Sequence, residues 1–304
     1  MRQRFALSAF VALTTTLLLA GCVVNEPPAT PAGSASSSGG EGAAPAVDKA
    51  AADLLPARIK DSGKLILGVG GTYPPNEFKD ENGKQIGWSI ELAEAMAAKL
   101  GVSAEWKVST FDNIIPSVTG GGMDLGVSSF TDTAEREKQV DFVNYYRAGI
   151  LWAAPAGKSV DPDNACGLTV AVKATTYEET TEIPAKSKAC VDAGKKPIKK
   201  LKFNTQDDAV NALVLGSADA MSADSPITEY AIAQTNGKLE MAGKSFDVAP
   251  YGMAVAKNSD GLRDAVQAAL QSLVDDGTYL AILKKWSVAS GAVTEITINA
   301  GGKS

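Results

Sequence analysis

A strand gives way to a helix within Ser128–Ser129–Phe130–Thr131–Asp132–Thr133–Ala134–Glu135–Arg136, by way of several hydroxyl residues. Arg136 falls in the first turn of the predicted helix, where the helix dipole disfavours a cation unless an anion is held nearby. A guanidinium binds a carboxylate through two parallel hydrogen bonds, and the free N–H groups of a first helical turn add donors. The segment therefore indicates either a carboxylate-binding site or a surface arginine paired with Glu135 or Glu137.

Strands and helices alternate on both sides of this segment. Strand patterns occupy residues 65–69, 104–108, 123–129, 168–172 and 219–223. Helical stripes occupy residues 90–100, 113–118, 206–215, 262–273 and 279–286, and residues 175–179 have the spacing of a capping box. The alternation of strands and helices occurs twice along the chain. It predicts an α/β fold of two lobes, each a mostly parallel sheet flanked by helices. Two extended segments, near residues 148–154 and 248–254, would form a two-strand hinge beside a ligand cleft.

Two further regions carry side chains suited to a small polar ligand. Lys173, Thr176 and Tyr177 lie where a predicted strand feeds a helix N-terminus, a position that suits an anion or a polar group. Ordinary N-capping is the alternative explanation for Thr176. Tyr73 and Phe111 would cover a ligand with their rings, or else belong to the core.

Asp224 follows a predicted strand and precedes Ser225–Pro226. Because proline suits a first helical position, Ser225 is the expected helix cap, which leaves Asp224 to bind a cation. The alternative is that Asp224 itself caps the helix or stabilises a turn. Together with Arg136 and the aromatic rings, Asp224 would complete the complement of a zwitterionic α-amino acid.

Several motifs occur in a fixed order along residues 64–288 of the chain. They are Tyr73–Pro74–Pro75 with Asn76–Glu77–Phe78, Gly83–Lys84 with Gly87–Trp88, Glu91–Leu92–Ala93, Phe111 with Ile114–Ile115–Pro116, Asp124, the segment ending at Arg136, Asp141–Phe142, and Asp276–Gly277–Thr278–Tyr279 with Lys285–Trp286. With these motifs the chain resembles the bacterial polar amino-acid-binding proteins of ABC importers, the extracellular solute-binding proteins of family 3. The resemblance implies a periplasmic-binding-protein-like fold that captures a polar amino acid and delivers it to a permease and ATPase complex, without catalysis.

The resemblance also implies which residues contact the ligand. They are Tyr73, Phe111, Ser128, Ser129, Thr131, Arg136, Lys173, Thr176, Tyr177 and Asp224. Arg136 would bind the α-carboxylate, with Thr176 and the backbone of Tyr177 reaching it from the second lobe. Asp224 would bind the α-ammonium, and Phe111 would stack over the ligand.

The side-chain preference follows from departures from the family pattern. Relatives that bind basic amino acids carry an acid where this chain has Gly70. Lys173 adds a positive charge that would repel a basic side chain. We therefore expect a neutral polar or acidic amino acid to be preferred over lysine, arginine or ornithine, because an unpaired buried charge is costly. Two alternatives remain open: Glu77 turns into the pocket, or Lys173 points to solvent.

The N-terminal residues predict export and anchoring. Residues 1–21 have the basic start, apolar run and small-residue cleavage site of a secretory signal peptide. Cys22 then resembles a lipobox cysteine, which implies an extracytoplasmic monomer held at the cell membrane by lipid; an uncleaved anchor or an incidental cysteine is the alternative. Residues 22–50 predict a flexible tether, 51–150 the first part of lobe 1, 151–248 lobe 2, and 249–304 the return to lobe 1.

Cys166 and Cys190 remain as a pair in an oxidising compartment, so we expect a disulfide between them. Two buried free thiols are the alternative. On the chain-entropy model a bridge over this loop length stabilises the fold by roughly 3–4 kcal/mol.

Composition excludes several classes of function. The chain has no histidine, which removes Ser-His-Asp and Cys-His catalysis and most zinc sites, and we expect neither a metal nor a cofactor. A formal charge of −6 without a long basic segment argues against nucleic-acid binding. The alternative function is a cyclohexadienyl-dehydratase-like enzyme on the same fold, which would need a positioned general acid in the cleft. A sensory module is a lesser alternative.

Overall fold

The structure, a computed structural model, describes residues 45–301. The predicted signal peptide, the predicted lipidation site Cys22 and the predicted tether up to residue 44 lie outside the described residues. The first helix of the described residues begins at Lys49. Asp48 caps this helix, because its Oδ1 accepts a hydrogen bond of 3.1 Å from N of Ala51. The backbone N of Asp48 also donates a hydrogen bond of 2.8 Å to O of Lys99.

The regular elements of residues 45–301 are ten α-helices and eleven strands. The helices are α1 (Lys49–Asp53), α2 (Ala57–Ser62), α3 (Trp88–Lys99), α4 (Phe111–Thr119), α5 (Ala134–Glu137), α6 (Ile183–Asp192), α7 (Gln206–Val214), α8 (Ser225–Gln234), α9 (Asp260–Asp275) and α10 (Thr278–Lys285). The strands are β1 (Lys64–Val69), β2 (Phe78–Lys79), β3 (Gln85–Ile86), β4 (Ser103–Val108), β5 (Leu125–Thr131), β6 (Val140–Pro155), β7 (Thr169–Lys173), β8 (Lys199–Phe203), β9 (Ala220–Asp224), β10 (Leu239–Ala256) and β11 (Thr297–Ile298). Within this part of the chain every helix is too short or too polar to span a bilayer.

Nine of the described strands form one sheet in the order β4-β1-β5-β10-β6-β9-β7-β8, with β11 paired to β6. β1 is parallel to β4 and β5, and β7 is parallel to β8 and β9. β5 is buried at all seven positions, as expected of a central strand covered on both faces. Helices separate the parallel strands along the chain, so the predicted α/β fold class is confirmed.

Two long antiparallel strands, β6 and β10, hold the two parallel groups together over 16 and 18 residues. β10 pairs with β5 from Tyr251 onward, whereas β6 pairs with β9 from Ile150 onward. Each long strand therefore contributes to both groups. We refer to the part built on β4, β1 and β5 as the first lobe and to the part built on β9, β7 and β8 as the second lobe.

Each lobe has its own apolar core. Leu67, Trp88 and Val266 are fully buried in the first lobe, between the sheet and the helices that cover it. Val170 and Trp152 are fully buried in the second lobe. Burying one large apolar side chain stabilises a fold by about 1.5–3 kcal/mol, so these cores hold the strand ends in place.

A disulfide joins Cys166 to Cys190 in the second lobe. Cys190 is buried on α6, and Cys166 packs against the same cluster from the loop before β7. The bridge therefore ties this loop to the helix that follows Thr176.

The predicted helix start at residues 175–179 is not regular. A π-helical turn, Glu178–Glu182, precedes α6. Thr175 has a left-handed backbone with φ of 63°, and Oγ1 of Thr176 donates to O of Lys173 at 2.9 Å. Such local bonds from a side chain to the backbone compete with the regular helical pattern, which explains the difference.

Candidate functional site

The ten residues expected to contact a ligand line one cavity, and Glu77 lines it with them. The first lobe supplies the loop after β1, the end of β5 and the starts of α4 and α5, while the second lobe supplies the ends of β7 and β9. The free volume between these side chains is about 10 Å³, room for about one water molecule, so the side chains of the two lobes pack closely around the cavity.

Arg136 spans the cavity from the first lobe. Its short helix is capped by Thr133, whose Oγ1 accepts a hydrogen bond of 3.3 Å from N of Arg136. Nη1 of the guanidinium donates to O of Thr131 at 2.8 Å, and Nη2 donates to O of Thr175 in the second lobe at 3.2 Å. The nearby Glu135 pairs with Lys138 instead, so the alternative of a surface pair between Arg136 and Glu135 is wrong.

The Arg136 guanidinium also lies over an aromatic ring. It is 5.4 Å from the ring centroid of Phe111, which in turn stacks on Phe130 at 4.6 Å. Burial lowers the pKa of Arg136, although guanidinium stays charged in proteins. The first lobe thus presents a fixed positive charge with an apolar cover.

Asp224 ends β9 and is buried, with 7% of its surface exposed. The structure corrects the expected cap, because Ser225 is the first residue of α8 and Asp224 occupies the N-cap position. The Asp224 side chain nevertheless makes no capping hydrogen bond. Its Oδ2 accepts a hydrogen bond of 2.7 Å from the hydroxyl of Tyr73 in the first lobe. Burial raises the pKa of Asp224, so a cation beside it would stabilise its ionised form.

Lys173 points into the cavity and not to solvent. It ends β7, is 5% exposed, and its Nζ lies 4.7 Å from the ring centroid of Phe111 and 5.3 Å from that of Tyr73. Burial lowers the pKa of Lys173, while the nearby Glu77 opposes that effect. A cation therefore faces the ligand space, shielded by two rings.

Glu77 is the lining residue that our site prediction left out. It is fully buried, and its Oε2 accepts a hydrogen bond of 2.9 Å from Oγ of Ser129. Burial raises the pKa of Glu77 to about 8, against the influence of Ser129 and Lys173. Our prediction had named Glu77 only as an alternative acid for the pocket. N of Tyr73 donates to O of Glu77 at 2.9 Å, and this turn holds Glu77 beside Tyr73 in the cavity lining.

The serines are held by a buried polar network. Ser129 has a left-handed backbone with φ of 47°, and its Oγ also accepts a hydrogen bond of 2.9 Å from Nδ2 of Asn76. Trp88 Nε1 donates to Oδ1 of Asn76 at 2.6 Å. Oγ of Ser128 accepts a hydrogen bond of 3.1 Å from N of Gly70. These bonds fix the orientation of two hydroxyls that border the cavity.

Thr176 and Tyr177 close the cavity from the second lobe. Oγ1 of Thr176 accepts a hydrogen bond of 3.4 Å from N of Glu179, so the threonine also stabilises the turn at the start of the helix. Thr176 therefore both caps the start of the helix and lines the cavity. Tyr177 is half-buried.

The sequence also matches a known protein family. Residues 65–289 match the model of the bacterial extracellular solute-binding proteins, family 3. The chain is 38% identical over 289 residues to the arginine-binding protein ArgT of Corynebacterium glutamicum, covering 94% of this chain and 93% of that protein. It is 30% identical over 294 residues to the ABC transporter glutamine-binding protein GlnH of Bacillus subtilis, covering 94% of this chain and 97% of that protein.

Solved structures agree with the sequence matches. An ancestral arginine-binding protein bound to arginine superimposes with a TM-score of 0.67 at 36% identity, covering 74% of this chain and 98% of that one. These similar proteins are named for the ligands they bind and not for a reaction, which does not support the dehydratase alternative. With the two-lobed fold and the charged cavity between the lobes, the matches show that this chain belongs to the bacterial extracellular solute-binding proteins of family 3.

Proposed function

We propose that this protein is the substrate-binding component of an ABC importer and that it captures a polar L-α-amino acid between its two lobes. The observation that carries the proposal is a pair of opposite charges in one small cavity, Arg136 from the first lobe and Asp224 from the second. An α-amino acid carries the complementary charges on neighbouring atoms. The names of the relatives, which record arginine and glutamine binding, support this ligand class and delivery to a permease and ATPase complex.

The head group of the amino acid would be held by charge-assisted hydrogen bonds. Arg136 uses Nη1 and Nη2 on two backbone carbonyls, and a guanidinium has five N–H donors, so others remain for an α-carboxylate. Asp224 is held by Tyr73 and keeps acceptor positions for an α-ammonium. The rings of Phe111 and Tyr73 would exclude water and strengthen both charge pairs.

The ligand side chain would meet Lys173 and Glu77. The Lys173 ammonium only donates hydrogen bonds, and the Glu77 carboxyl, protonated below its raised pKa, keeps an acceptor oxygen, so together they complement a carboxamide, whose oxygen accepts and whose nitrogen donates. Gly70 lies beside Ser128 and brings no second carboxylate. We therefore propose a neutral polar or acidic side chain, with L-glutamine as the leading ligand, over lysine, arginine or ornithine.

L-Arginine is the second candidate ligand. The buried Glu77 supplies an acid that a guanidinium group would pair with, and the relative at 38% identity is named for arginine. Binding would require the guanidinium to lie near Lys173, where like charges repel. Competition between the two amino acids distinguishes the candidates.

Closure of the lobes would trap the ligand. We propose that β6 and β10 form the hinge between lobe 1 (residues 51–150 and 249–304) and lobe 2 (residues 151–248). Three interlobe hydrogen bonds support this: Tyr73 to Asp224, Arg136 to O of Thr175, and N of Gln206 to O of Thr72 at 3.2 Å. Small-angle scattering should show a smaller radius of gyration at saturating ligand; an unchanged radius would argue against a hinge.

Anchoring is the part of the proposal that rests on sequence alone. We propose a mature monomer that begins at Cys22 and carries lipid there, since two or more acyl chains hold a protein firmly at a membrane. Mass spectrometry of the membrane-bound protein should find acylated Cys22. An unmodified Cys22 would contradict this step and leave the ligand site unaffected.

A thermal-shift screen against the twenty amino acids tests the function. A ligand that binds the folded state at 100 times its Kd stabilises the protein by about 2.7 kcal/mol, which is a measurable rise in melting temperature. We expect L-glutamine to give a large shift and D-glutamine little. No shift with any amino acid would contradict the proposal.

A further inference from the structure

The last part of the described chain returns to the segment that carries Arg136. The match to the family model ends at residue 289, whereas the described chain continues to Gly301. We call residues 291–301 the C-terminal strap. The strap crosses the first lobe, and its strand β11 pairs with β6 at Asn144 and Val143. Sequence reasoning gave no expectation for it beyond its place in lobe 1.

The first part of the strap is fixed to the body of the first lobe. At Gly291 a Cβ would lie 2.2 Å from O of Arg147, so only glycine allows this approach. Ile296 is 2% exposed, its N donates to Oε1 of Gln271 at 3.0 Å, and its O accepts from Nε2 of Gln267 at 2.7 Å. These contacts direct the following residues along β6.

The end of the strap makes side-chain and backbone bonds to the segment that precedes Arg136 and to β6. Oδ1 of Asn299 accepts a hydrogen bond of 2.7 Å from N of Phe142, and N of Ala300 donates to Oδ1 of Asn144 at 3.0 Å. N of Gly301 donates to Oδ2 of Asp132 at 3.0 Å. A Cβ at Gly301 would lie 2.1 Å from O of Asp132, so the two backbones are in close contact.

Asp132 lies between Thr131 and Thr133, the two residues that hold Arg136 in place. It is 2% exposed, and its Oδ2 also accepts a hydrogen bond of 2.9 Å from Nδ2 of Asn144. The preceding Thr131 gives its carbonyl to the guanidinium, and the following Thr133 caps the helix of Arg136. Any shift of Asp132 therefore moves both supports of the arginine.

We propose that the C-terminal strap is a positioning element of the ligand site, which fixes Asp132 and thereby the loop that presents Thr131 and Arg136 to the ligand carboxylate. The proposal rests on the proposed function for its effect on affinity. Its structural part, a strap that holds residues 131–137, does not need a ligand. Asp132 is a positioning residue: its hydrogen bonds go to Asn144, Gly301 and Pro250, while its charge also acts on the Arg136 guanidinium.

Two substitutions in the full chain should release the strap from Asp132. Gly301→Val introduces a side chain where the backbone of Asp132 leaves no room, and Asp132→Ala removes the acceptor. We expect each variant to bind L-glutamine or L-arginine roughly tenfold more weakly in isothermal titration calorimetry, the effect of one charge-assisted hydrogen bond. Asp132→Asn keeps a side-chain oxygen and should bind within about threefold of the wild type. Glu295→Ala, at an exposed strap residue, is the matched control.

Hydrogen exchange separates the strap from the ligand proposal. Amides of residues 131–137 should exchange faster in Gly301→Val than in the wild type, without ligand. If this exchange is unchanged, or if the variant is less stable in urea but binds with wild-type affinity, the positioning role is wrong. If the wild type itself binds neither amino acid, the proposed function fails instead, and faster exchange would then support only the docking of the strap.

Discussion

The hydroxyl of Tyr73 donates a hydrogen bond of 2.7 Å to Oδ2 of Asp224, from one lobe to the other across 151 positions of sequence. Both side chains are buried, and the lobes meet again where Arg136 donates to O of Thr175. The carboxylate proposed to bind the ligand ammonium is therefore oriented by the opposite lobe. Ligand binding and lobe closure would depend on the same atoms.

Removing this hydroxyl should weaken ligand binding. In Tyr73→Phe the ring remains, but Asp224 loses a donor that stabilises its ionised form. A hydrogen bond to a charged group contributes about 1.5–3 kcal/mol, so we expect at least a tenfold loss of amino-acid affinity by calorimetry. Tyr230→Phe, outside the cavity, is the matched control. Wild-type affinity in Tyr73→Phe would show that the bond does not orient Asp224.

Lys173 should set the preference for the ligand side chain. Lys173→Met removes the cation over the Phe111 ring while keeping much of the apolar stem. We expect the affinity for L-arginine relative to L-glutamine to rise by about tenfold or more, because a like charge no longer opposes the guanidinium group. Lys202→Met, at an exposed lysine on the neighbouring strand, is the control. An unchanged ratio in competition binding would mean that Lys173 does not select the side chain.

Glu77 should give the unliganded protein a pH-dependent stability. Burial raises the pKa of Glu77 from 4.5 to about 8, so the folded state holds the proton more tightly than the unfolded state. The stability from this group is fully present below pH 4.5 and is lost as the pH rises toward 8. Glu77→Gln stays neutral, so its unfolding free energy should fall less than that of the wild type over this range.

Urea denaturation at several pH values measures this difference. One pKa unit corresponds to about 1.4 kcal/mol, and the gap between wild type and Glu77→Gln should change by at least that amount. Glu81→Gln, at an exposed glutamate, is the control for loss of a carboxylate elsewhere. Parallel stability curves for wild type and Glu77→Gln would contradict the buried, proton-holding state of Glu77.

The disulfide should stabilise the second lobe. Cys166 and Cys190 are 24 positions apart, and closing a loop of that length contributes roughly 3–4 kcal/mol on the chain-entropy model. The double variant Cys166→Ser, Cys190→Ser should lose a comparable unfolding free energy. The wild type measured in reducing agent should match the double variant. Equal stability of oxidised and reduced protein would exclude a stabilising bridge.

Part of the cavity lining could be predicted from the local sequence because of simple geometry, whereas Ser128, Ser129 and Thr131 were expected from the family resemblance. The cavity residues Lys173 and Asp224 stand at the carboxyl ends of strands, and these ends meet at one edge of a sheet. The α/β class followed in the same way from the alternation of strands and helices. The family resemblance then added roles that local chemistry had left open.

Other features depend on contacts that local patterns do not encode. The strap bond joins Gly301 to Asp132 over 169 positions, and nothing in the local sequence of either residue indicates it. Glu77 is a charged residue of a type usually found at the surface. It is buried here because the chain turns back to Tyr73 and because Ser129 donates a hydrogen bond to its carboxyl group. The π-helical turn after Thr176 arises from competing side-chain bonds, which a capping-box spacing does not reveal.

Isothermal titration calorimetry of the wild type and Arg136→Ala with L-glutamine and L-arginine tests the head-group site most directly. We expect the wild type to bind at least one of them with one ligand per chain. Losing one partner of a buried charge pair costs about 2–5 kcal/mol, so Arg136→Ala should bind about thirtyfold to several thousandfold more weakly or not measurably. Equal affinity in the two proteins, or no binding by the wild type, would contradict an amino-acid site built on Arg136.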